Sequence, residues 1–214
     1  MKKKLFLAMF VSMVTGMTAQ NPAGTFSIKP MAGLNISDFS NATVDMYQTK
    51  VGFSGGAEME YGLKNWLGIS LGLMYSQQGA KIKGGMTNYI DEDGQMSVTA
   101  ISMDGKIKCD YLNIPLMASI YLPPIKGLSL KAGVQMGILI NDKMTTTVTV
   151  ANEQSYPENS GLIINPDVHN HLGYVVNTSG VCKSVDFGIP VGLSYEFMNV
   201  SLDARYYWGL TKID

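Results

Sequence analysis

Between Val185 and Phe197 the chain reads VDFGIPVGLSYEF. Val185, Phe187, Ile189, Val191, Leu193, Tyr195 and Phe197 alternate without exception with Asp186, Gly188, Pro190, Gly192, Ser194 and Glu196. A period of two puts successive side chains on opposite faces of an extended strand, so one face here is bulky and apolar and the other small or charged. No helix accommodates this pattern, and it recurs along the chain.

Six further segments carry the same period. They are Phe26–Ile36, Val51–Tyr61, Trp66–Ser76, Asp110–Leu122, Leu128–Ile140 and a last one from Val200 through Trp208. In the last, Val200, Leu202, Ala204, Tyr206 and Trp208 share a face, and Ser201, Asp203, Arg205 and Tyr207 occupy the other. The links between segments alternate in length. Leu63–Asn65, Pro123–Gly127 and Met198–Asn199 are short, whereas long loops are expected near 37–50, 77–109 and 141–183. Short turns on one side and long loops on the other characterise an outer-membrane barrel with its short turns in the periplasm. The segment lengths suit tilted strands that cross a bilayer.

A soluble lipocalin-like barrel shows the same period with its apolar face inward. The polar face decides between the two. A water-facing exterior is dense in Lys and Glu, but here that face is dominated by Gly52, Gly56, Gly68, Gly72, Gly133, Gly137, Gly188 and Gly192. Its charges are Lys29, Glu58, Glu60, Lys131, Asp186, Glu196, Asp203 and Arg205, both signs on one face, as a paired network inside a narrow lumen requires. Aromatic residues sit near the ends of the apolar face: Phe26, Tyr61 and Phe197 at one end, Phe53, Tyr75, Phe187 and Trp208 at the other. These are the positions of interfacial girdles.

The N-terminus reads as an export leader. Lys2, Lys3 and Lys4 precede an apolar run from Leu5 to Met17, with a cleavage point expected near Ala19 or Gln20. Residues 1–20 are therefore assigned to a signal peptide and 21–214 to the barrel domain. Setting the leader lysines aside leaves a net charge of about −4, which argues against a nucleic-acid partner. Seven strands leave the first and last edges open, at a cost of several kcal/mol for each unsatisfied backbone group in hydrocarbon. Parallel pairing of those edges, completion by another chain, or an eighth strand after Asp214 are the three closures. Even strand counts in single-chain bacterial barrels favour the third.

The stretches GLNIS at 33–37, YSQQGAK at 75–81, YLNIPLMASIYL at 111–122, LKAGVQMGILI at 130–140 and DFGIPVGLSYEFMNVSLDARYYWGLTKI at 186–213 resemble the PorT-like outer-membrane β-barrel proteins of Bacteroidota. The most specific pieces are Ile114-Pro115 and Tyr207-Trp208-Gly209-Leu210. The resemblance implies a small, eight-stranded, antiparallel up-and-down barrel in the outer membrane of a Gram-negative bacterium. Some members of that family are linked to secretion and gliding machinery. It carries over no catalytic residue and no cofactor.

Four local features bear on chemistry. Cys109 and Cys182 flank the fourth and sixth strands at the loop side, in a compartment that permits disulfides. A flat sheet separates their strands by roughly 10 Å, so the sequence leaves open both a bond and two independent thiols. Asp167, His169 and His171 form a permissible zinc set, but their spacing in a polar loop is weakly specific and no metal is assigned. No nucleophile motif accompanies Ser160 or Ser179, and Asp91-Glu92-Asp93-Gly94 lacks the ligand spacing of a calcium loop and reads as a turn. The expectation is a monomeric, non-enzymatic barrel that contacts outer-membrane lipid and, through its loops, envelope or secretion proteins. A narrow channel or small-ligand barrel is the alternative, and a lipid-modifying enzyme the weaker one.

Overall fold

The computed structural model describes residues 3–13, 22–40, 47–92, 95–158, 161–164, 170–180 and 182–211. Its strands in chain order are β1 (Lys3–Met13), β2 (Phe26–Ser40), β3 (Tyr47–Gln48), β4 (Lys50–Lys64), β5 (Leu67–Glu92), β6 (Gln95–Tyr121), β7 (Leu128–Glu158), β8 (Gly161–Ile164), β9 (Asn170–Thr178), β10 (Val185–Phe197) and β11 (Val200–Gly209). Antiparallel pairing runs β1–β2–β4–β5–β6–β7–β10–β11 and returns from β11 to β1, an eight-stranded up-and-down ring.

The ring is inside-out relative to a soluble barrel. On β11, Leu202 is 57% exposed and its neighbour Asp203 2%. The same contrast holds on β4 between Met59 at 50% and Glu58 at 1%. Apolar side chains therefore cover the exterior and polar ones line the lumen, which suits hydrocarbon outside and excludes the lipocalin-like alternative. Phe26 and Tyr61, with ring centroids 4.6 Å apart, mark the short-turn end of the exterior, and exposed Phe53, Phe187 and Trp208 mark the other.

Two findings revise the sequence reading. The first concerns closure. The eighth strand of the ring is β1, drawn from residues assigned to a leader, and it lies between β2 and β11 in continuous register from Leu5↔Trp208 to Met13↔Val200. Leu7, Met9 and Val11 face outward, and Ala8, Phe10 and Ser12 are buried in the lumen. An apolar run of this length satisfies the outward face of a membrane strand as readily as it satisfies an export leader, so composition alone does not separate the two uses. Residues 14–21 lie outside the described residues.

The second concerns the loops expected near 77–109 and 141–183, which are largely strand. β5 and β6 stay paired from Leu67↔Ile120 out to Glu92↔Gln95, and β6 and β7 from Tyr121↔Ser129 out to Met96↔Ser155. β8 and β9 add to the outer part of β7. At about 3.3 Å per residue, the portion of β5 beyond Ser76 extends on the order of 50 Å. Asp91 and Glu92 end β5, which leaves Asp93 and Gly94, outside the described residues, between Glu92 and its partner Gln95.

Cys109 and Cys182 form a disulfide with their Cα atoms 6.2 Å apart. The flat-sheet spacing does not apply, because Cys182 lies in the segment before β10, off any strand axis, and packs against the buried cluster of Ile82, Ile107, Cys109 and Tyr111. There the Asp142 carboxylate accepts the backbone N–H groups of Gly180 and Cys182, at 2.6 and 3.4 Å. Close packing also explains a lumen glycine: a Cβ on Gly188 would sit 2.3 Å from the Tyr207 ring, which crosses that position to reach Asp186.

Candidate functional site: the charged lumen

All eight charged residues assigned to the lumen are buried there, and seven of them meet in two adjoining clusters. Each sits at an inward position of a strand whose outward neighbours are apolar, so strand parity alone directs it to the centre. In the cluster nearer the short turns, Lys29 on β2 bridges Glu60 on β4 and Glu196 on β10. Its ammonium lies 3.2 Å from Glu60 Oε2. The Tyr121 hydroxyl, from the end of β6, donates to the other Glu60 oxygen.

The second cluster lies further up the lumen. Lys131 on β7 is 3.1 Å from both Glu58 Oε1 and Asp203 Oδ2. Arg205 on β11 holds Asp203 with Nε at 2.6 Å and Nη2 at 3.1 Å, and reaches Glu58 Oε2 at 2.5 Å. The planar guanidinium grips one carboxylate with two nitrogens while reaching a second, a fixed fork that the point charge of a lysine ammonium does not offer. Three cations thus face four carboxylates, and the phenol of Tyr121 supplies a further donor. A glycine gives the long side chains room: a Cβ on Gly68 would come 2.9 Å from Glu60 Oε1.

The eighth residue, Asp186, stands apart toward the outer mouth, where Tyr207 donates to its carboxylate at 3.3 Å. Between these levels Asn35 donates to Ser54 at 2.6 Å and Ser76 at 2.9 Å, and the Arg205 guanidinium stacks 5.5 Å from the Phe10 ring of β1. Beside Phe10, Ser76, Asn113 and Arg205 a lumen cavity of about 20 Å³ remains, room for about one water.

Tyr121, Tyr207 and Asn35 were not singled out as site residues, although each has inward parity and a buried polar group needs a partner. That signal was present in the alternation. Asp167 and His169 lie outside the described residues, as does Ser160. His171 is part of β9, Ser179 follows that strand, and the described residues contain no group of three metal-capable side chains.

The network's chemistry is electrostatic bracing. Replacing Arg205 by Leu strands Glu58 and Asp203 with only Lys131 between them. Loss of one partner of a buried ion pair costs about 3–5 kcal/mol. Urea unfolding of the folded protein in lipid vesicles should show a loss of that order for Arg205→Leu and a smaller one for Arg205→Lys. A loss below about 1 kcal/mol, the range of exposed pairs, would show that the bridge does not brace the ring.

Two solved structures are similar at low identity. The translocator domain of the autotransporter NalP from Neisseria meningitidis is 9% identical, with TM-score 0.17, 97% of this chain and 88% of that chain covered. Ail, the attachment invasion locus protein of Yersinia pestis, is 7% identical, with TM-score 0.12 and 97% and 96% covered. No curated protein matches the chain. The family model described as outer membrane protein beta-barrel domain matches residues 18–214. With its inside-out ring and that match over most of its length, the chain belongs to the outer-membrane β-barrel domain family.

Proposed function

We propose that this outer-membrane barrel is a non-enzymatic interaction protein, in which the ring is an anchor and the outer sheet of β5, β6 and β7 is the working surface. The observation that supports this most is the contrast in strand length. β10 and β11 are 13 and 10 residues long, enough to cross the membrane, whereas β5, β6 and β7 are 26, 27 and 31. Those three continue together past the ring with their pairing intact, and a filled lumen gives them no conduit to guard. Envelope or secretion proteins of a Bacteroidota-type cell are the partners that the PorT-like motifs suggest.

A photo-crosslinking residue at exposed Ser102 of β6, introduced in intact cells, should yield discrete protein adducts, and the same residue at lipid-facing Leu71 should not. Absence of protein adducts from Ser102 would contradict the interaction role.

In this reading residues 1–20 serve as the export leader. Lys3–Met13, which occupies the seam between β2 and β11 in the full chain, is then absent from the processed protein. N-terminal sequencing of protein recovered from outer membranes should begin near Gln20 or Asn21. A sequence that begins at or before Lys3 would instead leave β1 as the permanent closing strand.

A further inference from the structure

Two copies of a Lys-Ile-Lys tripeptide, Lys81-Ile82-Lys83 on β5 and Lys106-Ile107-Lys108 on β6, meet at Lys81 and Lys106 on adjacent strands where the sheet leaves the ring. Ile82 and Ile107 are buried with Cys109 and Tyr111 on the inner face, and strand parity turns all four lysines to the outer face, where each is exposed. Lys81 pairs directly with Lys106 across β5 and β6, and Lys108 with exposed Lys143 across β6 and β7. Directly opposed residues have Cβ atoms about 5 Å apart, and like charges placed so are destabilising. Two such pairs, joined through Lys106 and Lys108, make a compact row of four cations.

The described residues of the sheet give them no ion-pair partner. Asp110 receives the Asn141 amide at 3.3 Å, Asp142 is held by the backbone of Gly180 and Cys182, and Asp104 pairs across the strands with Lys83 at the far end. The row's position indicates what does. Its face continues the lipid-facing surface, with Leu71 and Leu73 on β5, Leu116 on β6, and Ile138 and Ile140 on β7 all exposed below it. From Ile140 to Lys143 the step is three residues, roughly 10 Å along a strand and about 7–8 Å along the membrane normal at a barrel strand's tilt, which is about the depth of a headgroup layer above the hydrocarbon.

We propose that Lys81, Lys106, Lys108 and Lys143 form a binding site for the phosphate of an anionic lipid in the outer leaflet, whose acyl chains lie against the apolar face directly below. Basic residues at a membrane surface attract anionic lipid in this manner. A lipid phosphate fits better than a soluble anion because the row faces the bilayer, and a lipid bound there gains both ionic and apolar contact.

The test uses the full-length protein folded into phosphatidylcholine vesicles doped with spin-labelled lipid, and reads the fraction of label immobilised by the barrel. The wild type should immobilise phosphatidylglycerol several-fold more than phosphatidylcholine. Lys106→Gln/Lys108→Gln should lose that preference while keeping a folded barrel's heat-modifiable mobility. Lys64→Gln/Lys126→Gln removes the same charge from exposed positions beside the short turns and should keep the preference. Equal immobilisation of both lipids by the wild type would overturn the site, as would a preference retained in Lys106→Gln/Lys108→Gln or lost equally in both variants. Abolition by inorganic phosphate at constant ionic strength would overturn the lipid assignment in favour of a soluble anion.

Discussion

The ionic bridge in which Arg205 and Lys131 share Glu58 and Asp203 is the interaction on which the barrel interior depends. Together with the Lys29 cluster it draws side chains from β2, β4, β6, β7, β10 and β11 to the axis, so that most of the ring is tied from within as well as by its backbone ladder. Hydrocarbon outside the ring cannot hold these charges, and water cannot fill a lumen this narrow. Their one low-energy arrangement is with each other. The small residues of the same face follow, since Gly68 and Gly188 yield the volume that Glu60 and Tyr207 occupy.

Alternation made most of this legible. On β10 and β11 every outward residue is apolar, and Asp186, Glu196, Asp203 and Arg205 could be directed to the lumen without coordinates. What parity could not give was the pairing. Which carboxylate Arg205 reaches depends on register and stagger around the ring, and these are set by turns and bulges, such as the shift between Gly62 and Lys64. The outer halves of β5 to β7 were read as loops because their apolar period is short and broken. Thr146 interrupts the face that Met144, Val148 and Val150 share, so no long alternation marks the strand. Lys-Ile-Lys on β5 and β6 did alternate, but over too few residues to stand out.

The N-terminal strand was hidden for a different reason. A basic start followed by an apolar run meets the requirements of export and of a lipid-facing strand equally, and β1 has the weaker claim to the lumen. Where its neighbours present Asn35, Asp203 and Arg205, it offers Ala8, Phe10 and Ser12, whose interior contacts are apolar packing with Met31, Met74 and Tyr207, a ring stacked on Arg205 and a hydroxyl pair with Ser201 at 2.5 Å. The domain match begins at residue 18, beyond β1. The contrast between the parts is clearest elsewhere: the ring presents an apolar exterior around a charged lumen, and β5 to β7 continue past it as a sheet with a cationic row at its base.

The most direct test of the sealed lumen is the ion current through the wild-type protein folded into a planar lipid bilayer. With the interior filled by Arg205, Lys131, Lys29 and their carboxylates, no steady current above the bare membrane is expected at any applied voltage. A stable, reproducible unitary conductance would contradict the account.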